Sequence, residues 1–429
     1  MKEKLWTKNF IIITYGSFVS MLGSSVSGFA FSLLVFDKTN SSFLFALMMV
    51  IGMIPQLFVP IIAGAYLDRR SRRKVIFTID FIYSAIFLMI TVVIYFDYFN
   101  YALYLGVMFI VGCLNAFYMV AYDSYYPMLI PKGQFSKAYS VSSLLYPIAS
   151  TIMIPLAGWA YDRIGMVPLF AFSTVTIFLT AVSETWLDAP EPHLELSREE
   201  LRQKEPVSHF RQFRDDLVFG FKYLKGEKGL LTITLYFFCT MLTSSVLGVL
   251  FLPYLKQTVV PFSVTLFTKN VLITSTILYS IFMGANTLGR VVGGLVHYKF
   301  KVPVKAKFAI ALTVYIIITV IDGGLLFMPY LLMLLMQIVS GMLAVTSFNI
   351  RISATQNYIP DTVRGRFNGI FSLITLGGSI IGQLISGALG EIYDIRYLVL
   401  ISMVLNMLAI FFIMARGKKH VKEIYNCDI

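Results

Sequence analysis

Six ionisable side chains lie inside stretches of this sequence that are otherwise apolar: Asp80, Asp123, Glu184, Arg290, Asp322 and Arg351. A charge held within a bilayer is costly, about 3 kcal/mol on insertion scales, and persists by pairing, by reaching an interface, or by binding and releasing a proton. Each of the six sits nearer the end of its apolar stretch than the middle, where snorkelling or interfacial solvation is the commoner explanation. Asp123 and Arg351 stand out as coupling candidates because they occupy nearly equivalent places in two similar stretches, and Asp80 and Arg290 complete that set. Other chemistry is excluded. The chain carries no phosphate-binding glycine loop, no metal-ligand spacing and no nucleophile–base set, so neither an enzyme nor a cofactor is expected. Cys113 and Cys239 lie in apolar stretches and Cys427 near the end, which makes no disulfide framework.

The elements that must position these residues follow from composition. Of 429 residues only 14% are charged and 57% are hydrophobic, and the mean hydropathy is +0.76, which places the chain among membrane proteins. A run of 18 or more apolar residues is long enough to cross a hydrocarbon core of about 30 Å as a helix. Twelve such spans are expected, at 10–36, 43–67, 75–96, 101–126, 138–161, 167–187, 229–255, 270–297, 306–328, 330–350, 367–390 and 397–415. The first is read as a retained span, too long for a signal-peptide core. With this topology 29 of the 35 Lys and Arg fall at the termini and in the even-numbered gaps, which orients both termini to the cytoplasm of a multi-pass cell-membrane protein. Basic loops facing anionic lipid also account for the net charge of +12, without nucleic acid.

The chain repeats itself. FVSMLGSSVSGFAF (18–31) and FCTMLTSSVLGVLF (238–251) match at eight of fourteen positions at an offset of 220, including Ser24-Ser25 against Ser244-Ser245. Later, Pro131, Ser143, Leu144 and Gly158 pair with Pro360, Ser372, Leu373 and Gly387 at an offset of 229. The expected fold is therefore an all-α membrane protein of two six-helix parallel repeats. Residues 1–187 form the first bundle and 229–416 the second, with a linker at 188–228 and a cytoplasmic tail at 417–429. Within the linker, Phe210, Phe213, Leu217, Phe221 and Leu224 have helical spacing, which suits an amphipathic helix lying at the membrane surface or packed on the bundle.

The gap between spans 2 and 3 reads GAYLDRRSRRKV (64–75). It resembles the G-x-L-A-D-R-x-G-R-R pattern of the major facilitator superfamily, with Gly64, Asp68, Arg69, Arg72 and Arg73 in position and Ser71 where the pattern has a turn glycine. VFDKTNSS after span 1, NIRISATQNYIPDTVRGRFNGI into span 11, and Pro155 with Gly158 in span 5 are similar to the drug- and macrolide-efflux branch. The resemblance implies a conformational latch. Gly64 would let helices approach closely, and Asp68 would sit against the N-terminus of span 11 near Arg364 and Arg366, where unpaired amides and the helix dipole favour an anion. In the second half Gly294 answers Gly64 and Tyr298 answers Asp68, so the latch would be one-sided.

For the substrate, Ser24, Ser25, Ser244 and Ser245 sit mid-span, where small polar residues either pack helices or line a path. Asn115, Tyr118 and Tyr146 add amides and hydroxyls from the first half, and Asn286, Asn349 and Gln383 from the second. Such a cavity offers hydrogen bonds without fixed charge. With 20 Met in the chain it suits amphiphilic, variable ligands. The expected function is a monomeric secondary transporter that exports a drug- or macrolide-like compound by alternating access. Protons as the coupling ion follow from the resemblance alone. A nutrient importer of the same fold, or a transporter-like scaffold or sensor without flux, is the alternative.

Overall fold

A hydrocarbon slab offers no water to backbone amides, so an apolar chain crossing it must satisfy its hydrogen bonds internally, and the helix does this within one segment. The computed structural model is accordingly built almost entirely of helices. It describes residues 5–67, 70–131, 134–189, 191, 209–266, 269–299 and 303–426. Among them, ten helices are long and apolar enough to cross a membrane.

The chain divides into two compact units, one of residues 1–40 and 48–211, the other of 41–47 and 212–429. The first contains α1 (Lys8–Thr39), the second half of α2 (Ser42–Met53), α3 (Val59–Leu67), α4 (Arg72–Tyr95), α5 (Tyr101–Tyr125), α6 (Phe135–Ile164) and α7 (Val167–Glu184). Polar side chains start these helices by accepting from otherwise unpaired amides: Thr7 caps α1, Ser71 caps α4 and Asn100 caps α5. Ser71 thus ends the gap as a helix cap with a negative φ, which explains why no glycine is needed there.

The second unit contains α8 (His209–Gly226), α9 (Lys228–Thr258), α10 (Ser275–Lys299), α11 (Lys307–Gly324), α12 (Tyr330–Tyr358), α13 (Asp361–Gly390), α14 (Ile395–Ala409) and α15 (Lys418–Tyr425). Packing follows the same scheme in each unit. In the first, α1 packs on α6 and α7, α4 on α5 and α7, and α3 on α5. In the second, α9 packs on α13 and α14, α11 on α12 and α14, and α10 on α12. Equivalent spans have equivalent neighbours, as a parallel repeat requires.

Two expected spans take a different form. The stretch 43–67 is interrupted by a 3₁₀ turn at Ile54–Leu57 around Pro55, which has no amide to donate to the helix ladder. The stretch 270–297 begins later than expected, because Lys269–Ile273 pairs antiparallel with Phe262–Leu266 in a hairpin, Phe262 opposite Ile273. A hydropathy window cannot separate a short apolar strand from the start of a helix.

The amphipathic helix of the linker packs on the bundle. Leu224 is buried, Leu217 packs against the core of the second unit, and a side chain at Gly220 would collide with Ile370 on α13. Phe221, on the expected apolar face, is instead exposed. Pro190 and residues 192–208 of the linker lie outside the described residues. The expected tail is itself a helix, α15, with Val421, Ile424 and Tyr425 buried and the Tyr425 hydroxyl 3.0 Å from that of Tyr315.

Candidate functional site: a buried carboxyl pair and polar helix seams

The start of α4 is held by an acid outside the helix. Glu191 accepts from the Arg72 amide at 3.1 Å, the Arg73 amide at 3.0 Å and the Ser71 hydroxyl at 3.1 Å. A carboxylate there meets both unpaired amides and the positive end of the helix dipole. The guanidinium groups turn to backbone carbonyls, Arg72 to Ser124 at 3.0 Å and Arg73 to Thr185. Asp68 and Arg69 lie outside the described residues. A Cβ built on Gly64 would meet nothing within 4 Å, so among the described residues no helix approaches that glycine closely.

One face of α4 packs on α7 and places Asp80 near Glu184, the two carboxyls within reach of one another. Asp80 is 3% exposed and Glu184 fully buried. The expectation of interfacial solvation therefore fails for both. Tyr118 on α5, expected in the substrate cavity, points its hydroxyl at Glu184 Oε1 instead, at 3.5 Å. Tyr122, one turn on, bonds Ser17 of α1 at 3.1 Å.

In the second unit the polar seams run between α10 and α12 and between α9 and α13. Arg290 donates to the Asn286 side-chain oxygen at 3.2 Å, and the Asn286 amide donates to Gln337 at 2.7 Å, so Asn286 bridges α10 and α12. Ser245 and Ser379 share a hydrogen bond of 3.0 Å, and Gln383 donates to Ser379 at 3.3 Å. Asp322 is buried and accepts from Ser340 at 3.2 Å, so interfacial solvation fails there too.

Arg351 has a different environment. Its guanidinium lies over the rings of Phe371 at 4.5 Å, Phe237 at 5.3 Å and Phe348 at 5.4 Å, three aromatics holding one cation. Arg366 stacks on Phe219 at 4.8 Å, and Arg364 donates to the Ile359 carbonyl at 3.1 Å.

The remaining candidates sort by exposure. Ser24 and Ser244 are exposed, each with a glycine one turn on, Gly28 and Gly248, whose Cβ would meet nothing within 4 Å. Their partners turn inward: Ser25 is buried, and Ser25 and Ser245 bond the carbonyls of Met21 and Met241. One member of each pair packs and the other is open, identically in both repeats. Asn115, Asp123 and Tyr146 are exposed and Asn349 is half-buried. Pro155 lies inside α6, one turn before the buried Gly158.

A family model described as Major Facilitator Superfamily matches residues 13–350. The chain is 24% identical over 238 residues to an uncharacterized MFS-type transporter, YkuC of Bacillus subtilis, covering 54% of this chain and 53% of that one. It is 23% identical over 269 residues to macrolide efflux protein A of Streptococcus pyogenes, covering 62% and 64%. The chain thus spans about half to two thirds of the length of these curated relatives. Among solved structures, it resembles the nucleoside transporter NupG with a TM-score of 0.65 at 14% identity, over 95% of this chain and 99% of that one. It also resembles a bacterial homologue of the iron transporter ferroportin in an inward-facing state, with a TM-score of 0.66 at 15% identity, over 96% and 100%. At these identities the structural likeness concerns the fold.

Proposed function

Because the chain belongs to the Major Facilitator Superfamily, we propose that this membrane transporter exports an amphiphilic small molecule of the macrolide or drug class, in exchange for protons and by alternating access. The observation that carries the reading is the similarity to macrolide efflux protein A over 62% of this chain. Site chemistry agrees with it. The open Ser24 and Ser244 faces, with Asn115 and Tyr146, present hydroxyls and an amide without fixed charge, which suits a large, mostly apolar ligand better than a sugar or an anionic metabolite. Pro155, inside α6, and Gly158 are the export-type pair of span 5. The membrane is the cell membrane, with both termini cytoplasmic, and the transporter works as a monomer. Asp123, Asp80, Arg290 and Arg351 are the residues to probe for coupling.

The test is a susceptibility screen of cells with and without the gene across macrolides and other amphiphiles, with efflux followed before and after a protonophore. Raised resistance and efflux that collapses with the proton gradient are expected. Growth on an otherwise limiting nutrient with no change in resistance would reverse the direction, and efflux indifferent to the protonophore would remove proton exchange.

A further inference from the structure

Two buried carboxyls in contact pose a chemical requirement. A carboxylate only accepts hydrogen bonds, so an acid–acid hydrogen bond exists only with a proton on one partner. Asp80 of α4 and Glu184 of α7 are both buried where these two helices pack, and their carboxyls lie within reach of one another. Among the described residues, buried Asp80 Oδ2 and Glu184 Oε2 find no N–H or O–H donor, and the hydroxyl directed at the pair is that of Tyr118. Among the described residues no cation pairs with them: Arg72 and Arg73, at the start of the same helix, give their guanidiniums to the carbonyls of Ser124 and Thr185. The other titratable groups that feel the pair are Tyr83 of α4 and Tyr122 of α5. From its side of α7, α1 presents the carbonyls of Gly16 and Gly23, which accept from Thr180 and Ser173.

We propose that Asp80 and Glu184 hold one shared proton in a site closed by the Tyr118 hydroxyl, and that this is the proton the transporter exchanges. Its role in exchange rests on the antiport reading above. The proton binds between the carboxyl oxygens and leaves to water, and no other bond is made or broken. Loss of the proton puts two anions side by side in a dry seam, where like charges repel and cannot both remain. Release is therefore linked to loosening or wetting of the α4–α7 contact, so the pair acts as a proton-dependent clamp within the first unit. Its placement between helices that pack along their length gives proton binding a mechanical output.

Infrared spectroscopy of the full chain in lipid nanodiscs reads protonated carboxyls without any transport assay. At neutral pH the wild type is expected to show a protonated-carboxyl band that disappears in Glu184→Gln, even though Asp80 remains, because the new amide donates to the Asp80 carboxylate without an added proton. Asp80→Asn gives the same reading should Glu184→Gln not fold, and Asp322 contributes equally to all the spectra and cancels in the differences. A band unchanged in both variants overturns the site. Adding erythromycin to the purified wild type in weak buffer should release protons, and the release should be lost in both variants. Release that survives the substitutions overturns the assignment to this pair. A variant-sensitive band without release on adding erythromycin leaves the proton site standing and rejects its part in exchange.

Discussion

At the scale of residues, neighbours far apart in sequence decide what an ionisable group does. Glu391, just past α13, accepts from the Ser41 hydroxyl at 2.5 Å and the Phe43 amide at 3.0 Å. The bond from the Phe43 amide, then that from Ser41, holds its carboxyl below the usual carboxylate range. A folded-state value below the unfolded one means the carboxylate contributes stability above the unfolded value, and that contribution is lost as pH falls through the folded one. Glu391→Gln should therefore lower the melting temperature of the purified chain at neutral pH and converge with the wild type in acid. An equal gap at both pH values would refute this. The same dependence on distant partners limits what was legible of the candidate site. That Asp80 and Glu184 lie within apolar helices is plain from the sequence, but their contact depends on the face by which α4 meets α7, and Glu184 reads as an ordinary span-end acid until then.

At the scale of elements, glycines set how closely helices approach. A Cβ on Gly112 would come to 2.4 Å from the Gly52 carbonyl oxygen, and one on Gly341 to 2.2 Å from that of Asn286. These two glycines are separated by the same offset of 229 as the second group of repeat matches, and each joins a span to its equivalent neighbour. Gly112→Ala must push backbone away and should cost about 1–3 kcal/mol, as overpacking does. Gly106→Ala, on the same helix with nothing within 4 Å, should be neutral or stabilise by up to about 1 kcal/mol through helix propensity. Thermal stability by fluorescence-detected size exclusion separates the two, and equal effects would show that no close approach is at work. The resemblance of the 2–3 gap to a family pattern pointed to Gly64 as the close-packing position. The collisions are elsewhere, because which glycine lies at a crossing is set by the crossing itself.

At the scale of the whole molecule, the chain is a member of a transporter superfamily whose two repeats carry the same neighbour scheme. In sequence the two differ at Asp68, answered by Tyr298. Asp68→Asn is expected to reduce efflux several-fold while leaving the melting temperature of the purified chain unchanged. Unchanged efflux would sink its role as a switch, and a matching fall in stability would make it a structural residue. The sequence by itself determined that the chain is helical and membrane-embedded, roughly where most helices run, and that it is built twice. Those properties follow from hydropathy, helix length and internal repetition, all of them local or additive along the chain. Only the tertiary structure decided that Ser24 and Ser244 are open while Ser25 and Ser245 pack, that Arg351 rests among aromatics, and that two acids are buried where α4 meets α7. Those outcomes depend on the rotation of each helix about its axis, which is set by shape complementarity between neighbours and leaves no periodic trace in a helix that is apolar all round.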